Sequence, residues 1–218
     1  MYPGRSHAKA TRTVVGVVAT LALALPLSAC GSDSARSDKP KPVAQVDKLS
    51  GRTTAVKLDQ GFTKALTSLG LTPGVVGKAK LTNGSLVFPI TGGDVTYYKP
   101  GSIDPYVRGT IKHQGSGLSL SAGGTKVELT DFVINPGTSK LFGDVSVNGR
   151  SAVKDAFLFQ LDGRTLKPLE TKGSTAILAG TKVEISLDAA KLLNKTFKTD
   201  AVKPGLLVGI AKITINTK

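Results

Sequence analysis

The sequence has one cysteine, no tryptophan and two histidines in 218 residues. A lone cysteine excludes an intrachain disulfide and a cysteine zinc site. Of the histidines, His7 lies in the first twelve residues and His113 stands alone in the remainder. A zinc site could therefore add only carboxylates to His113. Aromatic residues make up 5%, too few for a base-stacking platform, and nothing points to nucleic acid. Acids are also scarce, 15 against 29 Lys and Arg, giving a formal charge of +14. The acids are isolated, without an Asp-x-Asp-x-Asp calcium loop. No Gly-x-Ser-x-Gly elbow occurs. Gly115-x-Gly117 lacks the third glycine and the following helix of a phosphate loop. Few acids and few aromatics argue against a sugar-cleaving cleft. What is present is 40% apolar residues, 20% charged residues and 25 glycines, the composition of a globular chain of short strands and many turns.

The first residues read as an export signal. Arg5, Lys9 and Arg12 form a cationic start without an acid, and Thr13 to Leu27 is a fifteen-residue apolar run. A transmembrane helix needs about 20 such residues, and Pro26 interrupts this one. Leu27-Ser28-Ala29-Cys30 follows at once. It resembles the lipobox of bacterial lipoproteins: an aliphatic residue, two small residues and a cysteine. The resemblance implies cleavage between Ala29 and Cys30, acylation of the Cys30 thiol, and a palmitate-type anchor on the outer face of the cytoplasmic membrane. Two or more acyl chains hold a protein on a bilayer, whereas one does so marginally. Removing residues 1–29 takes away three bases and no acid, so the charge falls from +14 to +11. The bases are spread rather than blocked. Such a surface is drawn to lipid head groups or anionic cell-wall polymers through a salt-sensitive field.

Residues 30–52 are polar and small, with Lys39-Pro40-Lys41-Pro42 opposing helix and central strand, and read as a flexible tether. About twenty such residues span about 25 Å root mean square. Residues 53–218 read as one domain, mainly β with some α: an antiparallel sandwich or barrel-like fold. Turn pairs recur at Asn83-Gly84, Gly92-Gly93, Gly123-Gly124, Pro136-Gly137, Asn148-Gly149 and Asp162-Gly163. Between them Leu118/Leu120 and Val127/Leu129 alternate with polar residues, as in half-buried strands. Two short helices are expected. One runs from Gln60 to Leu69 behind Asp59, with Gly70 as its stop; the other runs from Ala189 to Phe197 behind Asp188. Each lies between strand-like runs, Val56–Asp59 and Pro73–Thr82 for the first, Ile185–Asp188 and Pro204–Thr214 for the second. The two units read as a strand–helix–strand pseudo-repeat in neighbouring positions on one sheet.

Tyr97, Tyr98 and Tyr106 flank a Pro/Gly-rich loop and, with His113, are the candidate ligand-binding residues. The run Gly109-Thr110-Ile111-x-His113-x-Gly115-Ser116-Gly117-Leu118-Ser119-Leu120, followed by Leu141-Phe142-Gly143-Asp144-Val145, is similar to the middle of HtaA-type haem-uptake domains of actinobacteria. The resemblance implies an exported, membrane-tethered β-rich domain that holds haem through Tyr and His. The histidine of that family's Gly-His-x-Gly turn falls on Ser116 here, and its early tyrosine has no evident counterpart. The residues themselves ask for no cofactor. The leading expectation is a non-catalytic, lipid-anchored binding or envelope-scaffold module. A haem-uptake module is the alternative, and a cell-envelope hydrolase with converging acids is the third.

Overall fold

The computed structural model describes residues 39–217; the expected signal, the Ala29–Cys30 junction and the acylated Cys30 lie outside them. Strands β1 (Pro42–Val46) and β2 (Arg52–Leu58) precede helix α1 (Gln60–Ser68). Four short strands follow: β3 (Thr72–Gly77), β4 (Lys80–Thr82), β5 (Ser85–Pro89) and β6 (Gly92–Tyr98). The middle is built by the longer β7 (Val107–Ala122), β8 (Thr125–Asn135), β9 (Lys140–Val147) and β10 (Arg150–Asp162). Then come β11 (Glu170–Lys172), β12 (Thr175–Ile185), helix α2 (Leu187–Phe197) and β13 (Leu207–Asn216).

All pairings are antiparallel, and the strands make one sheet in the order β1-β6-β7-β8-β9-β10-β12-β13-β2-β5-β4, with β3 added to β7 and β11 to β12. The sheet curls into a half-barrel rather than splitting into a sandwich. Its curl has local causes. Register shifts interrupt the pairing of β7 with β8 between His113 and Gly117, and of β8 with β9 between Thr130 and Val133. Asp131 sits in the second of these with φ 55°. Bulges of this kind bend a strand and increase its twist.

The turn chemistry works at Asn83-Gly84 and Asn148-Gly149, where both residues have positive φ and the flanking strands pair. Gly92-Gly93 is different, because it lies inside β6. Gly93 has φ 113°, and a Cβ there would stand 1.9 Å from the Thr110 carbonyl oxygen. Glycine lets β6 and β7 approach; it does not turn the chain. Pro42–Val46 likewise departs from the tether expected over 30–52. It forms β1, an edge strand headed by proline, where the missing N–H costs no ladder bond.

Helix α1 starts as expected, with the Asp59 carboxylate accepting from the N–H of Gly61 and Phe62 at 2.7 and 3.2 Å. Helix α2 starts two residues earlier than expected. Ser186, not Asp188, caps it and accepts from Ala189 N–H at 2.9 Å. Phe62 and Leu66 of α1 and Ala189, Ala190 and Leu193 of α2 are buried. The two expected units are neighbours, since β13 pairs with both β12 and β2. They are not copies in topology, because β3 leaves the first to join β7.

The core holds one buried imidazole. His113 is 1% exposed and lies edge-on to Phe88. Nδ1 is 3.3 Å from the Phe132 carbonyl oxygen, and Nε2 is 2.8 Å from Thr54 Oγ1. A carbonyl only accepts, so Nδ1 carries the proton and Nε2 accepts the Thr54 O–H. Burial lowers the His113 pKa from 6.5 to about 4, against the smaller opposing effect of the Phe132 hydrogen bond.

Two outcomes follow for stability. Leu158 is 0% exposed, so Leu158→Ala should lower the unfolding free energy by about 3 kcal/mol in urea titration. His113 binds its proton more readily when unfolded. Its contribution is therefore complete above about pH 6.5 and is lost as pH falls towards about 4, a decline on the order of 3 kcal/mol. In His113→Gln the slope of stability against pH in that window should be shallower by one proton. An unchanged slope would contradict the neutral buried ring.

Candidate ligand-binding site

Alternation along a strand sends every second side chain to the inner wall of the half-barrel. On one arm this places Val95 and Tyr97 of β6, Ile111 of β7 and Ile134 of β8 against the interior. On the other arm it places Val183 of β12 and Ile213 of β13 there. The two arms enclose a cavity of about 520 Å³, apolar over most of its lining. That volume is in the range of small-molecule sites.

The rim is made by loops and by the edge strand. Asp104, Pro105 and Tyr106 come from the β6–β7 loop, Gly163, Arg164 and Leu166 from the segment after β10, and Ala44 to Val46 from β1. The segment after β10 is fastened to β12, with Thr165 Oγ1 donating to the Gly180 carbonyl at 2.6 Å and Lys167 N–H to that of Ala179 at 2.8 Å. Gly180 makes this close approach possible: its φ is 112°, and a Cβ would lie 2.3 Å from the Thr165 carbonyl oxygen.

The four candidate residues are separated by this geometry. Tyr97, 6% exposed, and the half-buried Tyr106 both line the cavity, with ring centroids 5.8 Å apart edge to face. Burial raises the Tyr106 pKa, with a further push from Tyr97. Tyr98 lies on the other side of β6 and is not in the lining; its ring faces the Arg108 guanidinium at 5.9 Å. His113 is not in the lining either. It sits in the packed core behind Thr54, whose hydroxyl lies between the imidazole and the cavity. Ser116, where the family histidine falls, is fully buried and donates to the His113 carbonyl at 3.0 Å.

Sequence reasoning misses Thr54, Arg164 and the aliphatic wall. Arg164 donates twice to Asp162, from Nε and Nη2, each at 2.9 Å. That pairing lowers the Asp162 pKa to about 2, so the carboxylate is ionised and does not serve as a general acid at neutral pH. Asp104 and Glu184 are the other acids in the lining. Among the described residues no group of three or more His, Cys, Asp or Glu is placed to hold a metal ion.

No protein-family model matches the sequence. No curated protein matches it. Solved structures do match. The C-terminal domain of HtaA from Corynebacterium glutamicum superposes with a TM-score of 0.54 at 14% identity, over 78% of this chain and 98% of that one. The heme binding protein HtaB from the same organism gives a TM-score of 0.47 at 8% identity, over 80% and 96%. The β domain described here therefore has the fold of the HtaA C-terminal domain, as the sequence resemblance led us to expect.

Proposed function

We propose that this protein is a non-catalytic binding module that holds one apolar small molecule inside its half-barrel, and that acylated Cys30 fixes it to the outer face of the cytoplasmic membrane. The observation that carries the binding is the cavity itself. A closely packed protein interior leaves few voids larger than a water molecule, whereas this fold keeps about 520 Å³ between two apolar walls. The cavity wall is built from strands of the half-barrel and from the loops that join them.

Haem is the second reading, and the paired phenols favour it. Tyr97 and Tyr106 both line the apolar cavity with their rings edge to face, and a phenolate is a known type of haem ligand. The HtaA-type resemblance points the same way. Tyr106 would have to serve as a phenolate, giving up a proton that burial and then Tyr97 hold more tightly than usual.

Titration with the neutral dye N-phenyl-1-naphthylamine should show one saturable site. Ala44→Trp, which narrows the rim, should weaken it roughly tenfold. A folded protein that never enhances the dye overturns the cavity reading. Addition of hemin should give a Soret shift that Tyr97→Phe or Tyr106→Phe diminishes and His113→Gln leaves in place. A shift indifferent to both tyrosines would remove the phenols from the site.

A further inference from the structure

The chain is rich in Lys and Arg, yet among the described residues a single basic one, Arg164, lines the cavity. Its guanidinium is held by both oxygens of Asp162. The lining also includes Asp104 and Glu184. Its formal charge is therefore −2 in a chain of +14. Two neighbouring bases have other partners, while Lys182 is close enough to act on Asp162. Arg108 donates to the carbonyls of Pro105 and Asp104 at 3.2 and 3.4 Å, and Lys140 lies over the Phe157 ring at 4.9 Å. The remaining polar side chains in the lining are uncharged, hydroxyls together with two glutamine amides; Thr54 gives its proton to His113, and Gln160 donates to the Ser139 carbonyl at 2.8 Å.

An anion taken into an apolar site without a cation or a dense set of donors loses its hydration and gains little in return. A hydroxyl or carbonyl group is satisfied by one or two hydroxyl partners. Resting on the reading that the cavity is the binding site, we infer that it selects an uncharged lipophile, an aliphatic or polyene chain ending in a hydroxyl or carbonyl, over the corresponding carboxylate. The volume corresponds to about 17 water-sized groups, so one such chain fills it. The outer surface works in the opposite sense, since its net positive charge attracts anions without specificity. The selectivity of the cavity therefore stands out most clearly when salt screens that surface.

The test displaces bound N-phenyl-1-naphthylamine from the full chain with retinol and with retinoate, which share a carbon skeleton and differ at the head. Retinol should displace the dye at a concentration roughly tenfold or more below retinoate at neutral pH, with the gap kept or widened at about 0.5 M salt. Equal potency, or tighter binding of retinoate at high salt, overturns the selectivity and leaves the cavity reading standing. Failure of the dye and of both retinoids to bind a folded chain overturns the cavity reading, and this inference with it.

Discussion

An antiparallel strand shows one set of side chains to each face, and a single sheet that bends far enough turns one of those faces on itself. The architecture of this protein rests on that constraint. Apolar residues at alternate positions of β6, β7 and β8 meet those of β12, β13 and β2 across the inner space. Near the Phe88, Phe132 and Phe159 cluster the space narrows to a void of about 30 Å³, with neighbouring ring centroids 5.3 and 6.3 Å apart. Towards β1 and the β6–β7 loop it stays open. One curved surface thus yields a packed core and a cavity. The bulges at His113–Gly117 and around Asp131 bend the strands at the level where one passes into the other.

The boundary between core and cavity is polar in one place. Thr54 joins the two regions, giving its proton to a neutral His113 whose other nitrogen is fixed by the Phe132 carbonyl. Every buried side-chain polar atom among the described residues has a partner. The imidazole is accordingly a structural element that orients a hydroxyl at the cavity wall. A histidine with both ring nitrogens engaged in hydrogen bonds offers no free nitrogen to a metal in this arrangement.

Much of the secondary structure was legible because it depends on neighbours in the chain. Asp59 and Gly70 mark α1 by local hydrogen bonding and by positive φ, and Asn-Gly pairs close hairpins for the same reason. The same glycine chemistry misleads at Gly93, where freedom of φ serves strand approach instead of a turn. The candidate site was legible only in part. Tyr97 and Tyr106 stand out beside a Pro/Gly-rich loop. The partner of His113 is 59 residues away, and the aliphatic wall is assembled from strands of both halves of the chain. Register between distant strands decides which valine or isoleucine faces the cavity, and alternation alone does not disclose it.

Strand β1 is both the edge of the sheet and part of the cavity rim. It is held by backbone pairing to β6 alone, over Pro42 to Val46 with an irregularity after Pro42. It is also the first strand of the domain, so any tension along the preceding chain enters the fold there. Mechanical load on that side falls on the rim before it reaches the aromatic core. Three of the strand's residues, Ala44 to Val46, belong at once to the edge of the sheet and to the lining of the cavity.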